Sequence, residues 1–581
     1  MATNRTFRRG RAIAAVAVAI TAVLGATGVV ESARSGATTP TPYTWPEFHN
    51  TPDLQGVSAD PGISSANAST LGVRWMTPVG SGFTSPAIAH NDALGRNLVY
   101  VGNLAGYFTA VDADTGQIVW SDNLGLPFYS SPLVEGSNVW IASKSGSMYK
   151  LNAATGATEC TAPIKGGIQG TPVIATPPGG TTTVYLPSVG NGATGHGSVY
   201  AFAESTCLPQ SSFKFKSYPV GVAAGAWDPM TYAVSAQGTG LLLWGSKDPD
   251  SEVYAVNAIT GALVWRFQTL QGADWDVGAG VTTSAPGVNG FADGAAYVDG
   301  KDGILYALDL TTGALLWSWN FGGNGPGVPP VQTNADTTPA LSGSTLVFAS
   351  SGEVYAVNAV TGTEIWQRND GTNLINTSPA IVGPAGQQVV AYGTFSGVFH
   401  LVSLNSGTFV NPSLYTYKTG GFINSSPADY NGNLYFMGGD GFLYDFAPGG
   451  GNGSTPTTTI VSPVTGSSVP YPGHSLVISG TATAADGVSA VAVEVERGTG
   501  KSARWFDLSS SGFRTGIAVN DAVLASPGAT STTWSLTIPV PSTGAGFTVF
   551  ASAVGTNGVA DTVAQGRPPN AGQSSFTVLA Q

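Results

Sequence analysis

The stretch VYAVNAITGALVW (residues 253–265) returns as LYALDLTTGALLW (305–317) and VYAVNAVTGTEIW (354–366). Such repetition constrains the fold strongly, because each copy must be one structural unit that buries its faces against its neighbours. Taking the tyrosine as a frame, the chain comes back to this position at Thr109, Tyr149, Tyr200, Tyr254, Tyr306, Tyr355, His400 and Tyr444, at intervals of 40 to 54 residues. Each interval holds four short strands with their turns, the size of one propeller blade. Short Ser/Thr-Pro strand starts precede most copies: TSPAIA (84–89), SSPLV (130–134), GTPVIA (170–175), TTPAL (337–341), TSPAIV (377–382) and SSPAD (425–429). They fit the innermost strand of each blade.

Within a copy, Val253, Ala255 and Asn257 point to one sheet face and Tyr254 and Val256 to the other, so both faces can be buried between blades. Gly261 supplies the left-handed conformation of the hairpin, and the outgoing strand delivers Trp265 as a wedge against the next blade. The eighth copy, GFLYDFAPGG (441–450), lacks a Gly-x-x-x-Trp of its own. LGVRWMTPV (71–79) carries a tryptophan with no hairpin half before it, and is expected to close the ring as the outer strand of the last blade.

Composition agrees with an all-β chain of two domains: 581 residues, 79 glycines and only 10% charged residues. A net charge of −12 offers nothing to phosphate backbones or an anionic membrane surface, so nucleic acid is excluded as a partner. Arg5, Arg8, Arg9 and Arg11 precede the apolar run 12–30 and a small-residue stretch, the pattern of an export signal over 1–37, with a retained membrane anchor as the alternative. The expected products are a secreted protein and no membrane contact beyond that signal.

The pattern Tyr-Ala-Val/Leu-Asp/Asn-Ala-x-Thr-Gly-x-x-x-Trp resembles the repeat of the pyrroloquinoline quinone (PQQ) propeller family. The resemblance implies an eight-bladed β-propeller over 70–449, after an N-terminal linker or extension (38–69). The family includes both dehydrogenases and non-catalytic scaffolds, so fold alone does not assign an activity. In GAWDP (225–229), WGSKDPDSEVYAV (244–256), DWDVGAGV (274–281) and GKDGILYALD (300–309) the chain resembles the segments of quinoprotein alcohol dehydrogenases that surround PQQ. By that resemblance Trp227 would be the floor on which the quinone stacks, Asp248 and Asp276 calcium ligands, Asp276 also the catalytic base, and Lys301 the cation at the quinone oxygens. The chain departs from the family where a glutamate ligand precedes the third repeat, and in lacking a vicinal cysteine pair. The competing reading makes Asp248, Asp276 and Asp302 turn caps and Trp227 and Trp275 packing residues.

Cys160 stands in the tryptophan slot of the second repeat and Cys207 in the glycine slot of the third. Two cysteines in an exported chain are expected to form a disulfide, with free thiols as the alternative. No Cys-x-x-Cys-His, His-Glu-x-x-His or Gly-x-Ser-x-Gly motif occurs, so haem c, zinc-protease and esterase chemistry are not expected. The five histidines (His49, His90, His196, His400, His474) are scattered, and His400 occupies a packing slot.

After a Gly/Ser/Thr linker (450–459), alternating strands over 460–581 resemble bacterial immunoglobulin-like sandwiches. This domain is expected to be a spacer, or an attachment module using exposed aromatics such as Trp505 and Phe506. The expected function is ligand binding in the axial funnel of a secreted propeller, with PQQ- and calcium-dependent alcohol oxidation as its enzymatic form. The alternative is a non-catalytic scaffold that binds protein or cell-wall partners.

Overall fold

The computed structural model describes residues 44–580, apart from 145, 190–196, 214–224, 273, 324–328, 335, 371–373, 411–418, 420, 450–455, 485–486, 499–503, 509–510, 515–518, 542 and 556–572. The export segment, His196 and most of the Gly/Ser linker lie outside the described residues.

Between residues 57 and 448 the described strands form eight small sheets in chain order. The fourth is representative: Thr231–Val234, Gly240–Gly245, Glu252–Asn257 and Leu263–Gln268 pair antiparallel, from the inner to the outer edge. Its second strand is buried at every position, as expected of a strand covered on both faces. Consecutive sheets share apolar clusters: Tyr185 packs with Leu242, Trp244 and Tyr254 between the third and fourth sheets, and Leu243 and Trp265 pack with Val298 and Leu308 between the fourth and fifth. The series closes on itself, because one cluster joins Phe399 of the seventh sheet, Phe436 and Phe446 of the eighth, and Val99 and Val111 of the first.

The repeat tryptophan explains the repeat glycine. Gly313 has φ 71°, and a β-carbon there would lie 2.6 Å from the ring of Trp265, which reaches over from the preceding sheet. Trp265 Nε1 also donates to the Leu310 carbonyl at 3.0 Å, so the indole is fixed at both its face and its edge. Trp120 on Gly156, Trp317 on Gly362 and Trp366 on Gly407 repeat this contact. Between the second and third sheets the slots hold Cys160 and Cys207, which are bonded to one another with Cα atoms 6.3 Å apart. Cys207 takes the glycine's conformation (φ 56°), so the disulfide stands where the indole-on-glycine contact would be. Among the described residues the third sheet has three strands.

Leu71–Pro78 completes the eighth sheet by pairing with Phe442–Pro448, as the orphaned tryptophan predicts. Trp75 covers Gly116 of the first sheet, and its Nε1 donates to Ala113 O at 3.1 Å. Arg74 Nε bonds Asp445 Oδ2 at 2.6 Å across the same pairing. Burial raises the Asp445 carboxyl to about 7 against the pull of Arg74.

Residues 45–60, within the stretch expected to be an N-terminal linker or extension, form a strap across the inner strands. Trp45 exchanges hydrogen bonds with Ile88. The carbonyls of Pro46, Pro52, Asp53, Gln55 and Gly56 accept from Val134, Tyr232, Thr283, Leu341 and Ile381, and Asp60 Oδ2 accepts from Gly432 N–H. Seven of the eight sheets are thus tied to one segment whose only regular strand is Val57–Ser58, parallel to Ala380–Val382. His400 packs between Tyr392 and Phe409, with ring centroids at 5.0 and 5.3 Å.

The C-terminal strands form a sandwich. One sheet has the order Thr457–Ser462, Ser475–Thr483, Ser531–Pro539, Val523–Leu524. The other runs Ser468–Val469, Gln573–Val578, Ala545–Gly555, Val488–Arg497, Arg504–Asp507, Gly512–Arg514. Ile478, Trp534 and Ile538 of the first sheet meet Val493, Val549 and Phe576 of the second in one core. Trp505 and Phe506, expected to be exposed, are buried: Phe506 lies in that core, and Trp505 packs against Phe550 and against Tyr107 of the first propeller sheet. A strand facing both a core and a neighbouring sheet leaves neither ring free.

Gly313→Ala and Gly238→Ala separate the two demands on glycine. Both have positive φ (71° and 77°), but nothing lies within 4 Å of a β-carbon at Gly238. In urea unfolding Gly313→Ala is expected to cost at least about 1 kcal/mol more than Gly238→Ala, the magnitude of an overpacked contact; equal losses would contradict the indole contact.

Candidate functional site

The Ser/Thr-Pro starts build the axis of the propeller. The hydroxyls of Ser131, Thr171, Thr338, Ser378, Ser426 and Ser85 accept, in turn, the backbone N–H groups of Ser85, Ser131, Gly280, Thr338, Ser378 and Ser426 at 2.9 to 3.2 Å. Each hydroxyl thereby joins its own strand to the strand before it. In the fourth and fifth sheets the corresponding residues are Asp228 and Gly280, and no described hydroxyl continues the series there. Extended backbone returns a side chain to the same face every second residue. Two positions earlier the axis is therefore faced by Phe83 and Tyr129 on one side and by Gln169, Asp336, Asn376 and Asn424 on the other. Together these residues line an axial cavity of about 380 Å³, which Phe48 of the strap also reaches.

The four residues singled out from the sequence come together at this cavity or directly beside it. Lys301 Nζ sits 5.1 Å from the Trp227 ring centroid and 2.8 Å from Asp276 Oδ2. Asp276 Oδ1 accepts the Asp248 backbone N–H at 2.6 Å. Trp227 and Lys301 line the cavity; Asp276 is buried next to it, with its carboxylate already engaged by Lys301 and by the Asp248 amide. Asp302 is structural: it accepts from Tyr306 Oη at 2.6 Å and from the Leu270 and Ile304 N–H groups.

Three further acids, Asp336, Asp274 and Asp228, belong to the site. Lys301 Nζ lies 3.9 Å from Asp336 Oδ1 and 3.5 Å from Asp274 Oδ1, so one ammonium faces three carboxylates. Desolvation lowers the Lys301 pKa, but Asp336, Asp276 and Asp274 outweigh it and hold it above the ordinary lysine value. Asp228 is 1% exposed, and both its carboxylate oxygens are buried with no hydrogen-bond partner among the described residues. Burial first, then Asp336 and Asp276, raise its pKa well above the usual carboxylate range; Lys301 opposes this, and Asp299 adds to it. Gly278 makes room for the arrangement, since a β-carbon there would run into Asp336 and approach Trp227 Nε1. The sequence signals for Asp228 and Asp336 were the aspartate in place of Ser/Thr before Pro229 and the acid two residues before Thr338.

Comparison with known proteins agrees with the fold. The chain belongs to the PQQ-type repeat family described as outer membrane protein assembly factor BamB, whose profile matches residues 58–186 and 249–504. Outer membrane protein assembly factor BamB of Salmonella typhimurium is 25% identical over 261 residues, 43% of this chain and 60% of that protein, so the matched stretch spans about three fifths of its length. Quinohemoprotein alcohol dehydrogenase ADH-IIG of Pseudomonas putida is 28% identical over 255 residues, 40% of this chain and 32% of that protein. The crystal structure of the quinohemoprotein alcohol dehydrogenase from Comamonas testosteroni superposes with a TM-score of 0.58 at 15% identity, covering 74% of this chain and 84% of that one, which establishes the propeller fold. The segment skipped by the family profile, 187–248, is the one that carries Trp227, Asp228 and Asp248.

Asp228→Asn tests the electrostatics. A carboxyl with a raised pKa in the folded state binds more protons there than when unfolded, so its contribution is kept below the unfolded value and lost as pH rises through the folded value. The melting temperature of Asp228→Asn is expected to exceed that of the parent at pH 7.5, and the two to converge by about pH 4. A gap that stays constant with pH would contradict the assignment.

Proposed function

We propose that this chain is an exported propeller that binds a small ligand in its axial funnel. The observation that carries this reading is a set of residues lining one cavity whose buried acceptors have no hydrogen-bond partner among the described residues: both oxygens of Asp228, and Oδ1 of Asp336, Asn376 and Asn424, of which only Asp336 Oδ1 has an ion pair, with Lys301 at 3.9 Å. Buried polar groups are ordinarily hydrogen-bonded, and a cluster of orphans around a cavity marks a place built for something that enters it. An assembly role, named in the relatives, is the competing reading. Export is supported by the disulfide and by the basic-then-apolar leader. The strand order of the sandwich, with its short strand Ser468–Val469 parallel to Gln573–Val578, supports an immunoglobulin-like module.

The quinoprotein form of this reading passes one test of fit and fails another. Trp227, Asp248, Asp276 and Lys301 converge, with Lys301 Nζ 5.1 Å from the Trp227 ring centroid and 2.8 Å from Asp276 Oδ2, and the Asp248 amide on Asp276 Oδ1. Calcium, however, takes six to eight oxygen ligands. Among the described residues no group of three or more Asp, Glu, His or Cys side chains is placed to hold a metal ion. PQQ is itself a polycarboxylate, and here it would meet Asp228, Asp276 and Asp336 with the single ammonium of Lys301 already shared among acids. The residues present do not fit that pair of cofactors.

A thermal-shift screen of small cationic, neutral and anionic compounds, followed by a crystal structure of the best binder, tests the proposal. A bound ligand raises the melting temperature with concentration. The expected result is a compound seated between Trp227, Asp228 and Asn424; compounds found only outside the funnel, or no stabilisation by any class, would overturn it.

A further inference from the structure

We propose that the ligand of the axial funnel is a small organic amine, bound as its ammonium between Asp228 and Asp336. This rests on the ligand-binding reading above and specifies its chemistry.

The first ground is the break in the axial hydroxyl series. Six positions carry Ser or Thr, whose hydroxyls accept an N–H from the strand before. At the fourth sheet an aspartate takes that place, is 1% exposed, and receives nothing in return. A buried carboxylate without a donor is costly, so it is retained where a donor arrives from outside the chain. The second ground is the sign of the unmet demand. Among the described residues that line the cavity, the buried side-chain atoms without a hydrogen-bond partner are all oxygens: both of Asp228, and Oδ1 of Asp336, Asn376 and Asn424. An amide or carboxylate oxygen accepts, so the complement is a molecule rich in N–H donors.

The third ground is charge. Asp228, Asp276, Asp336 and Asp274 surround one ammonium, that of Lys301. A second cation, Lys144, is held 4.0 Å over the Tyr129 ring at the aromatic side, and the acids still outnumber the cations. An entering ammonium restores balance, whereas an anion adds to the excess. The fourth ground is the opposite wall. Phe83 and Tyr129 line the cavity there with ring centroids 5.3 Å apart, and Phe422 backs Phe83 from behind at 5.5 Å. Such a wall accepts the methylenes of an alkylamine and faces its cation with ring π-density. A cavity of about 380 Å³ suits a molecule of a few carbon atoms.

Isothermal titration calorimetry of the full chain at pH 7.5 with 1,4-diaminobutane tests this, beside 1,4-butanediol, PQQ and calcium chloride. Saturable binding of the diamine is expected, with the diol weaker by at least about tenfold, since hydrogen bonds to charged groups are the stronger ones. Asp228→Asn and Asp336→Asn should each weaken the diamine by about tenfold or more. The diol comparison needs no variant and stands if either substitution impairs folding. Equal affinity for diol and diamine, or binding of PQQ or calcium without the diamine, would overturn the amine assignment and leave funnel binding intact. No heat from any of the four would overturn both.

Discussion

The contact of an indole face on a glycine of the next sheet is the constraint from which the rest of this propeller follows. Each sheet buries its faces only if its neighbour is held at the right spacing, and the repeat sets that spacing with Trp120 on Gly156, Trp265 on Gly313, Trp317 on Gly362 and Trp366 on Gly407. Glycine serves twice, for its positive φ and for the absence of a β-carbon under the ring. Trp75 makes the same contact with Gly116 from the N-terminal strand, so ring closure uses the interaction already present elsewhere. Where the chain gives up the pair, between the second and third sheets, the Cys160–Cys207 bond joins the same two slots.

That regularity makes the exceptions informative. The hydroxyls around the axis join adjacent strands, and they lapse where Asp228 and Gly280 stand. Beside this gap lie Trp227, Gly278, Lys301 and Asp336, with an electrostatic surplus of carboxylates. The irregular sheets thus form one wall of the funnel as a polar, acidic face opposite an aromatic one. A propeller of this kind gains its site by relaxing the repeat locally while the other interfaces hold the ring.

Much of this was legible in the sequence because it follows from spacing. The recurring Tyr and Trp positions gave the sheets, and an unpaired tryptophan in LGVRWMTPV gave the closing strand. The convergence of Trp227, Asp248, Asp276 and Lys301 could be anticipated from their resemblance to a known site, but their partners could not. Asp276 is taken up by Lys301 and by the Asp248 amide, a contact between loops 28 residues apart. Asp336 arrives from the sixth sheet through the space left by Gly278, which no local pattern announces. The strap was missed for a related reason: residues 45–56 carry no periodicity, since their carbonyls, not their side chains, bind the inner strands. Trp505 and Phe506 looked exposed because a single strand does not reveal which sheet will cover it.

The funnel's chemistry depends on Asp228 being a buried carboxyl with no donor among the described residues. Its titration by ¹³C NMR on protein labelled at the aspartate carboxyl carbon, with the signal assigned by its loss in Asp228→Asn, measures this directly. The account predicts a titration midpoint well above the usual aspartate value of about 3.9 in the free protein, moving down when an amine occupies the funnel. A midpoint at the ordinary value, unmoved by any amine, would show that Asp228 is already satisfied and would contradict the assignment of the funnel.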